Sequence, residues 1–130
     1  MTVFVDANVV MYLIGAPHPN RDRSQALLDQ LILGDTRLVT DAEVFQEILH
    51  RYAAINRPEA IDPAFATLSG VVDDVFEIDM AAITAAKALV LDGVGARDAL
   101  HVATMRANEV SRILTFDRGF DRFADLERLS

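Results

Sequence analysis

The sequence predicts a three-layer α/β/α sandwich around a central sheet of four to five mainly parallel strands. Short runs of β-branched and aromatic residues alternate with longer segments in which apolar residues recur at helical spacing. Strands that alternate with helices favour a parallel sheet covered on both faces. A length of 130 residues with 52% hydrophobic residues is typical of one core, so we expect a single domain over residues 1–130.

The first half of the chain predicts two strands and three helices. TVFV and RLVT are rich in β-branched residues, as buried strands are. The helical segments end at Gly15 and Gly34, and Asn20 and Asp41 stand at the expected N-cap positions of the second and third helices. The predicted elements are strand 2–5, helix 7–14, helix 21–33, strand 37–40 and helix 41–55.

The second half predicts two further strands and at least three helices. Residues 58–70 fit one or two short helices, and Asp79 is a suitable cap for the apolar segment that follows it. The segment DRGFDRF at 117–123 fits a loop or a helical turn. The other predicted elements are strand 75–78, a helix over MAAITAAKALVLDG at 80–93, helix 97–108 and strand 112–116.

Composition narrows the class of protein. The net charge of −8 argues against binding nucleic acid by bulk attraction, although a local metal site on phosphate stays possible. The absence of cysteine excludes disulfides and thiolate chemistry. The first apolar run is broken at Asp6 and Asn8, is too short to span a bilayer and lacks a signal-peptide pattern, so we expect a cytoplasmic protein with no membrane contact.

Two acids follow predicted strands, where parallel sheets place their binding crevice. Asp6 follows TVFV, and Asp117 follows RILTF. Each is also explained as an ordinary turn or cap residue, because Asp after a strand often caps the next helix.

Two helices supply further acids. Glu43 and Glu47 are four residues apart on one helix face, and Glu47 has the more apolar neighbours and is the better candidate to face the sheet. Asp98 lies in the first turn of an apolar helix, where the helix dipole favours a negative charge, so capping also explains it. His101 follows three residues later, and local hydrogen bonding is a commoner role for such a histidine than metal ligation.

A cluster of these acids is stable only with a cation or with some carboxylates protonated. Oxygen-only ligands suit Mg²⁺ or Mn²⁺, ions that can support attack of water on a phosphodiester. The absence of cysteine and the three scattered histidines argue against a zinc site. Phosphate-binding glycine motifs and a nucleophile-elbow serine are also absent from the sequence.

The segments VFVDANVVMYLI, LVTDAEVFQEIL, ARDALHVATM and ILTFDRGFDRF together resemble PIN domains, and more narrowly the VapC toxins of toxin–antitoxin pairs. The similarity covers essentially the whole chain. It implies a PIN-like fold and a toxic endoribonuclease that cuts structured RNA, such as transfer or ribosomal RNA. It also implies Mg²⁺ or Mn²⁺ as cofactor, a homodimer, and a VapB-like antitoxin whose C-terminal segment blocks the acidic pocket.

The resemblance assigns roles to individual residues. It places Asp6, Asp98 and Asp117 at the metal, with Glu47 as the fourth catalytic acid. Asn8 and Thr115 match polar positions near the metal, and Glu43 and Asp121 are outer candidates, Asp121 being better explained as a surface acid. Arg97 and Arg118 are candidate substrate contacts. The family usually has Ser or Thr six residues before its glutamate, but this chain has Asp41 there, which keeps the choice between Glu43 and Glu47 open.

Two other functions compete with a nuclease. A phosphoacceptor receiver domain needs paired acids after its first strand and a lysine near the end, whereas the only lysine here is Lys87, within a helix. A catalytically inactive PIN-like scaffold that binds protein or RNA is the second alternative. In that case the acids would be structural caps.

Overall fold

The computed structural model describes all 130 residues and contains one five-stranded sheet in the order β3-β2-β1-β4-β5. All four strand pairings are parallel. The predicted α/β sandwich is therefore confirmed. The strands are β1 Thr2–Val5, β2 Arg37–Asp41, β3 Asp74–Phe76, β4 Arg112–Leu114 and β5 Glu127–Leu129.

Six α-helices connect and cover these strands. They are α1 Ala7–Ile14, α2 Pro19–Leu33, α3 Ala42–Ala54, α4 Ile61–Val71, α5 Met80–Leu91 and α6 Ala96–Ala107. Short 3-10 turns lie at Pro58–Ala60 and Arg118–Arg122. None of the helices combines the length and the apolarity that a membrane crossing needs.

The core lies on both faces of the central strand. Phe4 of β1 is fully buried and pairs in register with Val39 of β2 and Ile113 of β4. Helix α1 contacts α2, α3 and α4, whereas α5 packs on α6, and α3 and α6 share a smaller contact. This division is expected if the right-handed connections from β1 to β3 cross one face and the return to β4 crosses the other. A cluster of 26 buried apolar residues results.

The observed N-caps of the helices agree with two of the three caps predicted for α2, α3 and α5. The predicted caps Asp41 and Asp79 are confirmed, since their carboxylates accept the backbone N–H groups of Val44 and Ala82. The prediction for Asn20 was wrong. His18 caps α2 instead, because Pro19 occupies the first helical position and the Asn20 N–H donates to His18 Nδ1 at 3.0 Å.

The strand ends and the last strand differ from the sequence prediction. The third and fourth strands are shorter than predicted, ending at Phe76 and Leu114. Strand β5 was not identified as an element, because Glu127–Leu129 is three residues long and contains no β-branched residue. Its pairing with β4 creates the strand and places the chain end at the sheet edge.

Candidate metal centre

The candidate site lies where the strand order reverses. From β1 the chain proceeds to β2 and β3 on one side, and then crosses to β4 and β5 on the other. A crevice opens at the carboxyl ends of strands at such a switch point. Asp6 leaves β1, Asp41 ends β2 and Thr115 follows β4 at this edge of the sheet.

Asp6 is a buried carboxylate held by short hydrogen bonds. Its Oδ1 accepts the Ala7 N–H at 2.8 Å, and its Oδ2 accepts the Thr115 hydroxyl at 2.7 Å. Burial raises the pKa of Asp6 to about 6, partly offset by the charge of His101, while the charge of Glu47 raises the pKa further. Asp6 is therefore mostly ionised at neutral pH, but its negative charge is costly without a cation.

Glu47 and His101 face Asp6 from two helices. His101 Nε2 lies 3.7 Å from Glu47 Oε2 and 3.9 Å from Asp6 Oδ1. One ligand atom from each of these three residues lies within 4.8 Å of the others. Both Glu47 Oε2 and His101 Nε2 are buried and make no hydrogen bond. The pocket therefore contains polar atoms that lack a partner.

The other ring nitrogen of His101 is firmly held. Its Nδ1 lies 2.8 Å from Asp41 Oδ2, and both side chains are almost completely buried. Burial by itself lowers the pKa of His101, but hydrogen bonding to Asp41, contact with Glu47 and the nearby negative charges raise the pKa well above its usual 6.5. The chain thus supplies its own positive charge to the acids of this pocket.

Asp117 lies close enough to Asp98 for its negative charge to act on Asp98. Burial raises the pKa of Asp98, and the charges of Asp117 and Glu47 raise it further. Asp98 occupies the first turn of α6, but Gly95 is the cap residue and no side chain caps this helix. Capping therefore does not account for Asp98. Asp117 caps the 3-10 turn, where its Oδ1 accepts the Gly119 N–H at 2.8 Å.

Thr115 and Asn8 join β4 to the start of α1. The Thr115 hydroxyl accepts hydrogen bonds from Asn8 Nδ2 at 3.0 Å and from the Asp117 N–H at 3.1 Å, while it donates to Asp6. Asn8 Oδ1 accepts the Phe116 N–H at 3.3 Å. These bonds fix Asp6 relative to the backbone of Asp117.

Two outer candidates and one candidate substrate contact are not part of this group of potential ligands. Glu43 is half-buried, and burial together with the charges of Asp41 and Glu47 raises its pKa, but only Glu47 contributes an atom to the group of potential ligands. Asp121 is exposed and ion-paired with Arg128 at 2.9 Å, as expected of a surface acid. Arg118 is exposed beside Asp117.

A cavity of about 330 Å³ adjoins the acids. Arg97 lines it, with its guanidinium 3.9 Å from Glu47 Oε1. The remaining lining residues are Asn8, Met11, Tyr12, Glu47 and Arg51. The cavity therefore joins an acidic side to a cationic and aromatic side, a combination suited to a phosphate-bearing ligand next to a metal ion.

Sequence reasoning did not find the link between Asp41 and His101. The sequence indicates Asp41 only as a helix cap, although Asp41 ends a strand at the same edge as Asp6. The two oxygens of Asp41 make different hydrogen bonds. Oδ1 accepts the Val44 N–H at the start of α3, and Oδ2 bonds to Nδ1 of His101. The available sequence signal was that Asp41 follows a predicted strand. Its role as a helix cap already explained the residue, so the second contact was not predicted.

The donor set fits a divalent cation. Carboxylates of Asp6 and Glu47 are oxygen ligands of the kind that Mg²⁺ and Mn²⁺ take, and a cation would partner the buried Glu47 oxygen that has no hydrogen bond. The predicted ligands Asp98 and Asp117 are not part of the group whose ligand atoms lie within 4.8 Å of one another. Burial is the main cause of the raised pKa values of Asp6 and Asp98, and a bound cation would favour the ionised form of both carboxyl groups.

Comparison with known proteins agrees with this geometry. The profile of the PIN domain matches residues 3–126. This chain belongs to the PIN-domain family. Within that family it is 48% identical to ribonuclease VapC13 of Mycobacterium tuberculosis strain H37Rv, over 98% of this chain and 99% of the relative. The chain is accordingly a member of the VapC group of PIN domains.

Solved PIN-domain structures share the fold. VapBC2 of Rickettsia felis, solved bound to a DNA fragment from its promoter, superposes with a TM-score of 0.76 at 14% identity and covers 100% of both chains. VapC20 of Mycobacterium tuberculosis, described as a toxin that cleaves the sarcin–ricin loop, gives a TM-score of 0.76 at 20% identity, covering 95% of this chain and 98% of that chain. At these identities the likeness concerns the fold.

Proposed function

We propose that this VapC-group chain is the toxin of a toxin–antitoxin pair and a metal-dependent endoribonuclease. The observation that carries the proposal is the convergence of Asp6 and Glu47 at the switch point of the sheet, around buried atoms that lack a partner. Asp98 is near enough for the charge of Glu47 to raise its pKa. The identity of 48% to a protein named a ribonuclease supports the same conclusion.

We propose Mg²⁺ or Mn²⁺ as the cofactor, held by Asp6, Asp98 and Asp117 with Glu47 beside them. When bound, the ion supplies positive charge to the phosphodiester and makes water more acidic. Thr115 and the Ala7 N–H keep the Asp6 carboxylate oriented toward the pocket. Arg97 lies where it can bind a phosphate next to the acids, and its planar guanidinium suits that task.

The experiment is cleavage of structured RNA by the purified protein with Mg²⁺ or Mn²⁺ and with EDTA. We expect cleavage only with the ion, and a loss of about a hundredfold or more in Asp98→Asn, because that change removes a negative charge from the metal centre. The matched control is Asp62→Asn, since Asp62 is an exposed acid in the first turn of α4. Full cleavage by a folded Asp98→Asn or Asp6→Asn variant would refute the proposal.

A second measurement separates the enzyme from an inactive scaffold. An ion that binds only the native state raises its stability, by about 2.7 kcal/mol at a hundred times the dissociation constant. We therefore expect millimolar Mg²⁺ or Mn²⁺ to raise the melting temperature of the protein and to leave that of Asp98→Asn nearly unchanged. A melting temperature that neither ion moves would favour the scaffold.

We propose a VapB-like antitoxin as the protein partner. The solved relative from Rickettsia felis is a VapBC2 assembly, and this chain carries a net charge of −8, which favours a partner with a basic segment. The acidic pocket and the cavity lined by Arg97 are the surfaces that such a segment would cover. Co-expression with a candidate antitoxin should give a stable complex in which RNA cleavage is blocked.

We also propose a homodimer formed through helices α5 and α6. An apolar groove of about 540 Å³ lies between them and includes Ile83, Val90 and Leu100. Ile83, Val90 and Met80, which also lines the groove, are exposed, as is the neighbouring Leu91. Multi-angle light scattering should give twice the chain mass, and Ile83→Glu should give the monomer mass. A wild-type monomer at micromolar concentration would contradict this.

A further inference from the structure

Two buried atoms of the pocket have no hydrogen-bond partner although each is strongly polar. They are His101 Nε2 and Glu47 Oε2, separated by 3.7 Å. Most buried polar atoms in proteins are paired, so such an atom needs a specific explanation. The side chain of His101 is 1% exposed, which leaves the pocket as the only place from which a partner can come.

The orientation of the imidazole is fixed by Asp41. The Asp41 carboxylate is fully buried, and both of its oxygens are engaged, Oδ1 by the Val44 N–H at 2.9 Å and Oδ2 by His101 Nδ1 at 2.8 Å. Because a carboxylate accepts hydrogen bonds, Nδ1 carries the hydrogen that points to Asp41. Nε2 is thereby directed at Asp6 and Glu47.

This arrangement is the one that histidine ligands of metals commonly have. A ligating histidine usually donates its other ring N–H to a carboxylate, which sets the tautomer and strengthens the ligating nitrogen. Potential ligand atoms of Asp6, Glu47 and His101 lie within 4.8 Å of one another, close enough for one ion to contact all three.

We infer that His101 is a nitrogen ligand of the divalent ion, that Asp41 is its positioning residue, and that the centre therefore prefers Mn²⁺ to Mg²⁺. Mg²⁺ is a hard cation that binds almost only oxygen ligands. Mn²⁺ also favours oxygen but, as a first-row transition ion, accepts an imidazole nitrogen more readily than Mg²⁺ does. On binding, the ion takes the place of any proton at Nε2, and that proton passes to solvent. The inference rests on the proposed function, whose oxygen ligands it extends with a nitrogen.

The decisive experiment is electron spin echo envelope modulation of the full chain with bound Mn²⁺. We expect nitrogen modulation from a directly coordinated imidazole, and a change to the ¹⁵N pattern when the protein is labelled with ¹⁵N-histidine. Bound Mn²⁺ without nitrogen modulation, or no bound Mn²⁺ at all, would overturn the inference. The wild-type protein suffices for this result, so it does not depend on whether a variant folds.

Variants then test the roles of the two side chains. His101→Gln should lose the modulation and bind Mn²⁺ about tenfold to a hundredfold more weakly, with a smaller loss for Mg²⁺. His50→Gln is the matched control, because His50 is exposed on α3, and it should keep both properties. Asp41→Asn should weaken Mn²⁺ binding in a folded protein, since Val44 and His101 bond to different oxygens of Asp41 and Asn has an oxygen at only one of the two positions. Unchanged affinity would contradict its positioning role.

The results also distinguish failure of this inference from failure of the proposed function. If the protein cleaves RNA but its bound Mn²⁺ shows no nitrogen modulation, the nuclease proposal stands and His101 is not a ligand. If bound Mn²⁺ shows nitrogen modulation but the protein cleaves no RNA, His101 is a metal ligand and the nuclease proposal is wrong.

Discussion

Thr115 Oγ1 donates a hydrogen bond of 2.7 Å to Asp6 Oδ2, although the two residues are 109 positions apart. The bond crosses from the end of β4 to the end of β1, the two strands that flank the switch point. It lowers the pKa of the buried Asp6 carboxyl and thus opposes the effect of burial. One hydroxyl therefore helps to keep the central acid of the site ionised.

Replacing Thr115 by Val removes this donor while keeping the shape of the side chain. A buried carboxylate that loses its partner costs about 1–3 kcal/mol, so we expect the free energy of unfolding to fall by that amount near neutral pH. We also expect weaker binding of divalent ions. Thr115→Ser, which keeps the hydroxyl, is the control for both urea unfolding and metal titration. A Val variant as stable as wild type would contradict this account.

The stability of the metal-free protein should fall as pH rises. The folded-state pKa of Asp6 is raised from 3.8 to about 6, so the native state binds more protons than the unfolded state between these values. Stability from Asp6 is therefore lost as pH rises through about 6. His101, whose pKa is raised well above 6.5, adds stability that is present below 6.5 and lost at higher pH.

Melting temperatures measured in EDTA from about pH 4 to alkaline pH test whether stability falls or rises with pH. We expect a decline from pH 5 toward alkaline values, and a flatter curve for Asp6→Asn between about pH 4 and 6, because that variant lacks the titrating carboxyl. A saturating divalent ion should reduce the decline. A melting temperature in EDTA that rises over the same range would show that these two groups do not control stability there.

Arg97 should contribute to RNA binding more than to the chemical step. Removing a charged hydrogen-bond donor to phosphate costs about 1.5–3 kcal/mol, so Arg97→Ala should raise KM at least tenfold with a smaller change in kcat. The slope of affinity against salt concentration should fall by about one. Arg57→Ala is the control, because Arg57 lies past the far end of α3 and pairs with Glu59. A change confined to kcat would contradict this role.

Gly119 should matter through the position of Asp117. A Cβ atom at Gly119 would lie 3.0 Å from Asp117 Oδ1, so Gly119→Ala must shift that carboxylate. We expect weaker metal binding and slower RNA cleavage with little loss of stability, since Asp117 is exposed and can move. Gly70→Ala is the comparison, because nothing lies within 4 Å of the corresponding Cβ. Unchanged metal affinity in Gly119→Ala would indicate that Asp117 is not held in place for the ion.

The regular elements could be predicted from the sequence because their signals are local. Buried strands such as TVFV and caps such as Asp41 and Asp79 depend on residues within a few positions of one another. Of the two exceptions, only one has a local cause. Pro19 at the first helical position makes His18 the cap of α2, whereas the short β5 depends on its pairing with β4.

By itself the sequence determined the α/β class and the position of Asp6 at the end of a strand. Tertiary structure alone decided that His101 would bond to Asp41, 60 positions away, and that its other nitrogen would face Asp6 and Glu47. The physical reason is that charge interactions depend on distance and burial in space. Residues distant in the chain can therefore control one another's ionisation only after the sheet has brought the ends of its strands to a common edge.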